Sequence, residues 1–169
     1  KAPKIPVIIH ALRKAEKYFK KEYPIIVDLD VTSPLREVRD ISRAMEQFNS
    51  SKCSNLVTAC KARKNPYFNM LEKKGGEFKL IKESKEPFSR RQDAPEVYDM
   101  NASIYIWSRS YLLANKPLIS KDTSCYIMPE ERSVDIDSEL DFSYVEFLIN
   151  KGWFTNIHKE IISDFFVFE

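Results

Sequence analysis

Apolar residues in this chain recur with a period that changes from one stretch to the next. In the opening segment Ile8, Leu12, Ala15 and Phe19 recur at helical spacing, with Arg13, Lys14, Lys17 and Lys20 on the other faces. That spacing predicts an amphipathic helix. The run Pro24-Ile-Ile-Val-Asp-Leu-Asp-Val31 is mostly apolar and opens with proline, which suits a strand buried on both faces. Thr32-Ser33-Pro34 ends it, because a residue before proline avoids helical backbone. Val38, Ile41, Met45 and Phe48 then form one stripe of a second helix, and Asn55-Leu-Val-Thr-Ala-Cys60 reads as another strand. Strand, helix, strand is a βαβ unit with a right-handed crossover.

The stretch from about residue 61 to residue 98 is polar and is broken by Pro66, Gly75-Gly76, Pro87 and Pro95. Gly75-Gly76 fits a hairpin turn between Met70-Leu71 and Phe78-Leu80. Long irregular segments in compact domains serve as binding loops or lids. Ser103-Ile-Tyr-Ile-Trp107 and Cys125-Tyr-Ile-Met128 predict two more strands. Leu140, Tyr144, Phe147 and Lys151 mark a last helix. The tail from Trp153 to Glu169, rich in Phe and Ile, is expected to pack on the domain or on a partner. The whole predicts one α/β domain over residues 1–169, with a mostly parallel sheet flanked by helices.

Composition narrows the functional classes. A chain of 169 residues with 43% hydrophobic and 31% charged residues is an ordinary globular domain, neither disordered nor fibrous. Its 27 basic and 25 acidic residues give a net charge of +2, no ground for a nucleic-acid partner. Glycine is scarce: only Gly75, Gly76 and Gly152 occur, so neither a Walker loop nor a dinucleotide fingerprint can be built. Cys53, Cys60 and Cys125 form no CxxC pair, which argues for reduced thiols. No apolar run approaches the roughly 18 residues of a membrane span, and nothing resembles a signal peptide; the expected location is the cytoplasm, with no membrane partner. His10 and His158 lie far apart without a partner pattern, and no GxSxG or HExxH motif occurs, so hydrolase chemistry is unsupported.

Three places can carry chemistry. Open α/β sheets bind ligands at the carboxyl ends of strands, which points to Asp30, Thr32 and Ser33, although Thr32 and Ser33 equally suit a strand end and a helix start. Arg90-Arg91-Gln92-Asp93 sets adjacent guanidiniums in a loop, able to clamp a carboxylate or phosphate or simply to face water. Asn101 and Tyr105 follow it and can hydrogen-bond a polyhydroxylated ligand. In Asp135-Ile136-Asp137 the two carboxylates, two residues apart in extended chain, can address one Mg²⁺. The competing role is helix capping, since Ser138 and Asp141 match a capping box.

Together these stretches resemble one family. Leu29-Asp-Val-Thr-Ser-Pro-Leu-Arg36 resembles the TSPLR motif of the acylneuraminate cytidylyltransferases, the CMP-sialic acid synthetases. Arg90-Arg-Gln-Asp-Ala-Pro-Glu-Val-Tyr98, with Asn101 and Ile104-Tyr-Ile106, resembles their RRQDxPxxYxxNGxIYI stretch. Met128-Pro-Glu-Glu-Arg-Ser-Val-Asp-Ile-Asp137 resembles their closing motif. The order and spacing agree across about 110 residues.

The resemblance implies a nucleotide-diphospho-sugar transferase fold and a homodimer, in which an element near residues 61–98 reaches toward the partner's site. It implies transfer of CMP from CTP to a nine-carbon 2-keto sugar acid (sialic, legionaminic or pseudaminic), releasing pyrophosphate with the help of Mg²⁺. Asp135 and Asp137 would hold the metal and carry the catalytic role. Arg91, Gln92, Asn101 and Tyr105 would bind the sugar acid, and Asp30, Thr32, Ser33 and Arg36 would shape the site. Asp30-Val31 stands where the family has Gln-Pro, and Ala102 where it has glycine. The family's N-terminal strand and basic, glycine-containing CTP loop have no counterpart in these residues, so the chain by itself is expected to be a poor catalyst. A non-catalytic dimerisation or sugar-binding module on the same sheet is the alternative, and a transferase for an eight-carbon sugar acid a third reading.

Overall fold

The computed structural model describes residues 3–84 and 88–153. The expected tail beyond Trp153 and His158 lie outside the described residues. Helix α1 (Lys4–Phe19) forms as the apolar spacing predicts, and it stops where Lys20 takes a left-handed φ of 51°. Strand β1 (Ile25–Leu29) leads through the TSPLR turn into α2 (Val38–Ser50), then β2 (Asn55–Lys61). A hairpin of β3 (Leu71–Lys74) and β4 (Glu77–Leu80) follows. Strand β5 (Tyr98–Ser108), a short helix α3 (Arg109–Leu113), β6 (Thr123–Ile127) and α4 (Glu139–Asn150) complete the order.

The main sheet has the order β1-β5-β2-β6. β1, β2 and β6 run in one direction, and β5 runs against both of its neighbours. The βαβ expectation for β1-α2-β2 therefore holds in direction, with β5 inserted between its strands. This makes the sheet mixed where a mostly parallel one is expected. Period-2 alternation did not report β5's direction, because a centrally buried antiparallel strand is as apolar as a parallel one.

Alternation sorts the side chains onto two faces. Ile25, Val27, Leu29, Leu56, Ile104 and Ile106 pack under Ile41, Ala44 and Phe48 of α2. Ile26, Val57, Tyr105 and Trp107 pack under Ile5, Ile8, Ile9 and Leu12 of α1 and Leu112 of α3. The result is a helix–sheet–helix sandwich. Truncating any of the fully buried apolar side chains to alanine costs about 2–5 kcal/mol.

Two details differ from the sequence reading. The stripe Leu140, Tyr144, Phe147 of α4 is exposed, and Val145 and Leu148 are buried instead, against Leu35, Val134 and Ile136. The segment ELDFSYVEFLIN is apolar around most of its circumference, so spacing alone does not select a face. The Gly75-Gly76 hairpin is present, with φ of 61° and 91°, both in the left-handed region that a two-residue type I′ turn requires. It forms its own two-stranded sheet, not hydrogen-bonded to the main one.

Candidate functional site

The carboxyl ends of β1, β2 and β6 and the amino end of β5 lie along one edge of the sheet, since β5 runs opposite to the other three. All three sequence motifs reach that edge. TSPLR follows β1, RRQD precedes β5, and the Met128–Asp137 stretch follows β6.

Asn101 ties them together. The pairing of β2 with β5 slips between Val57, opposite Tyr105, and Ala59, opposite Met100. The resulting bulge turns Asn101 inward, where it is 5% exposed. Its Oδ1 accepts from Thr58 Oγ1 at 2.7 Å, and its Nδ2 donates to Ser133 Oγ at 2.9 Å. Its carbonyl accepts from Ser33 Oγ at 3.1 Å. The backbone N–H of Ile136 donates to the carbonyl of Thr32 at 2.9 Å, a second stitch between the first and third motifs.

The TSPLR turn is itself built from hydrogen bonds. Asp30 Oδ1 accepts from the N–H of Thr32 at 3.3 Å and from its hydroxyl at 3.1 Å. Arg36 donates to the carbonyls of Asp30, Ser33 and Ser103 at 2.6, 2.9 and 3.3 Å, and burial pushes its pKa down. Ser33 is fully buried, Thr32 partly so.

A cation completes this corner. Lys4 Nζ lies 2.9 Å from Asp28, 2.8 Å from Asp30 and 4.2 Å from the ring centroid of Tyr105. Its hydrogen bond holds the Asp30 carboxyl below the usual carboxylate range, against a smaller opposing effect of burial. Tyr105 is 5% exposed and stacked on Trp107, and burial pushes its hydroxyl pKa up, with Asp30, Asp28 and Asp135 adding to the rise. Asp135 is partly buried, and its Oδ1 is buried without a hydrogen-bond partner. Asp137 is exposed and lends its backbone N–H to Asp141, while Ser138 caps α4 as the capping-box reading expects. No group of three or more acidic, His or Cys side chains among the described residues is arranged to hold a metal.

The RRQD segment forms a short 3-10 turn, Arg91–Asp93. Arg90 pairs with Asp93 at 3.1 Å, while Arg91 donates to the carbonyl of Ala62, just past β2, at 3.0 Å. Arg91 and Gln92 are exposed and line a pocket of about 340 Å³ with Lys61, Asn65 and Glu96. The motif reading missed Lys4 and Asp28. Lys4 is distant in sequence from every motif, and Asp28 looks like an ordinary strand residue.

Known proteins share much of this sequence. The chain is 47% identical over 150 residues to the post-translational flagellin modification protein B of Campylobacter coli, covering 89% of this chain and 63% of that protein. It is 47% identical over 147 residues to the CMP-N,N'-diacetyllegionaminic acid synthase of Campylobacter jejuni, covering 87% of this chain and 62% of that one. An N-acylneuraminate cytidylyltransferase of Streptococcus agalactiae is 35% identical over 118 residues, 69% of this chain and 28% of its own length. Over these residues the chain belongs to the acylneuraminate cytidylyltransferase family. It spans about three fifths of the length of the first two curated relatives, 63% and 62%.

For this cytidylyltransferase-family chain, no protein-family model matches. The fold has a solved counterpart in a CMP:2-keto-3-deoxy-manno-octonic acid synthetase complexed with CTP, with a TM-score of 0.56 and 12% identity over 90% of this chain and 70% of that one. That likeness bears on the fold, which is nucleotide-diphospho-sugar transferase-like. No helix of the described residues is long and apolar enough to cross a membrane.

Proposed function

We propose that this protein is a cytidylyltransferase that moves CMP from CTP to a nine-carbon 2-keto sugar acid and releases pyrophosphate. The observation that carries the reading is the convergence of the three family motifs on one sheet edge, stitched through Asn101 and the Thr32–Ile136 hydrogen bond. Unrelated solvated loops have no reason to share such a network.

Arg91 is the natural partner for the sugar carboxylate, since a guanidinium recognises a carboxylate in bidentate fashion; its exposure beside a pocket supports that role, with Gln92 next to it. Asn101, Tyr105, Thr32, Ser33, Arg36 and Asp30 hold the floor and wall against which the sugar is oriented. Asn101, Ser33 and Arg36 do so through bonds to the protein itself. The donor set fits Mg²⁺: Asp135 offers a buried oxygen without a partner and Asp137 an exposed carboxylate, and Mg²⁺ asks only for one or two carboxylates plus substrate phosphates. Asp135 and Asp137 would hold the ion, which would supply neutralisation of phosphate charge; the anomeric hydroxyl would form the new bond to the α-phosphorus as the bond to pyrophosphate breaks. We place the reaction in the cytoplasm, where the three free cysteines are stable as thiols, and assign the protein a homodimeric state with the 61–98 segment, part of a single domain, at the interface.

The test is pyrophosphate release by the full-length protein from CTP and Mg²⁺, over a panel of nonulosonic acids. Turnover with one acid, and its loss by at least two orders of magnitude in Asp137→Ala, is the expected result. A silent wild type would favour a sugar-binding module, and a fully active Asp137→Ala would remove the metal assignment.

A further inference from the structure

Lys4 is placed where a helix does not want it. The N-terminal end of a helix carries partial positive charge, and α1, 16 residues long, has no acidic residue in its first turn and no side-chain cap. What holds the ammonium there is not α1 but the sheet beneath it: Asp28 and Asp30, two residues apart at the end of β1, and the ring of Tyr105 across the ladder from Asp28. The side chain is 41% exposed, so the pair opens to solvent at the edge the motifs share. This corner is otherwise acidic. Asp28, Asp30 and Asp135 all bear on Tyr105, and Arg36, also near Asp28 and Asp30, has its guanidinium turned to three carbonyls.

Resting on the reading above, we infer that Lys4 is a positioning residue for the sugar acid: it cancels the charge of Asp30, so that an anionic substrate can approach an edge lined by carboxylates. Asp30 is committed to the turn through Oδ1 and to Lys4 through Oδ2, and the ion pair presents no net charge at that point. The trio Lys4, Asp28 and Asp30 carries a net charge of −1 in the native protein, −2 in Lys4→Met, and −1 again in Lys4→Met with Asp30→Asn. The amide that Asp30→Asn introduces keeps a carbonyl oxygen for Thr32, so the double variant restores the charge without dissolving the turn.

The experiment is isothermal titration of the full-length protein with N-acetylneuraminic acid and with legionaminic acid, in Mg²⁺, over wild type, Lys4→Met, Lys4→Arg and the double variant. One added negative charge about 6–8 Å from a carboxylate weakens binding roughly six- to tenfold at an effective dielectric of about 40, between the near-surface and bulk-water values, as suits a part-exposed side chain. Lys4→Met is expected to lose affinity by that factor, and Lys4→Arg and the double variant to return most of it. A role confined to fixing α1 would make the double variant as weak as Lys4→Met or weaker, and that result overturns the inference. Equal affinities in wild type and Lys4→Met, or no binding of either acid to the wild type, overturn it as well. Binding that follows the expected order without pyrophosphate release would leave the inference standing and remove the transferase reading.

Discussion

Ala102 holds a φ of 52° inside the bulge of β5, a left-handed conformation that costs an L-residue about 1–2 kcal/mol. The bulge needs it, because this turn of the backbone aims Asn101 at Thr58 and Ser133. The methyl group gives back part of that cost through its partly buried contact with the Tyr105–Trp107 cluster, about 0.5 kcal/mol for a side chain of this size. Strain exceeds contact, so Ala102→Gly is expected to stabilise the protein by about 0.5–1 kcal/mol, raising the melting temperature by roughly 2 °C. A lowered melting temperature would mean that the methyl packing outweighs the strain. At this scale the sequence is informative where a residue breaks a motif: Ala102 in place of glycine announces the strain, and Asp30 in place of glutamine announces a charge to be balanced. The balancing residue, Lys4, was not legible. Its partner lies 26 positions away and the contact exists only once α1 folds onto β1.

Asp40 shows how an element's end and a motif share one side chain. Its Oδ2 accepts from the N–H of Glu37 at 2.9 Å and so caps α2, while both of its oxygens take a bidentate pair from Arg132 at 2.8 and 2.9 Å. The two side chains are 0% and 7% exposed. Arg132 precedes Asp135 by three residues, so this pair fixes α2 against the segment that carries the proposed metal ligands. Removing one partner leaves a buried charge unpaired, which costs about 3–5 kcal/mol. Arg132→Ala is therefore expected to lose that much in chemical denaturation. Arg132→Met with Asp40→Asn, which keeps the cap and leaves no buried charge, is expected to recover most of it. A double variant no better than Arg132→Ala would show that the bidentate geometry, not charge burial, sets the cost. Among the elements, α1 and α2 were legible because each has one period and one face, and β1 and β2 because each is a short, mostly apolar run. The buried face of α4 was not, since its apolar residues surround the helix and only contact with Leu35, Val134 and Ile136 selects Val145 and Leu148.

At the scale of the molecule, the described residues form a sandwich and an appendage with different physics. The sandwich is closed by helices on both faces, whereas the β3–β4 hairpin stands apart with Leu71 60% exposed and Phe78 68% exposed. An isolated two-stranded hairpin is marginal in water, and three or more strands or a packed face are needed to steady it. Its backbone ties to the neighbouring loop, from Ile81 to Met70 and from Lys82 to Pro66, anchor the base and leave Leu71 and Phe78 uncovered. A second subunit is the covering that the family resemblance implies. Replacing residues 71–80 with a short glycine–serine linker removes none of the sandwich core, so the melting temperature is expected to shift by no more than about 3 °C, the scale of a 1 kcal/mol change. Sedimentation of the full-length protein should show a dimer for the wild type and a monomer for the loop-shortened form. A wild-type monomer would end the dimer assignment. A dimer that survives the shortening would move the interface elsewhere, and a large drop in melting temperature would show that the hairpin is part of the folding unit rather than an arm extended from it.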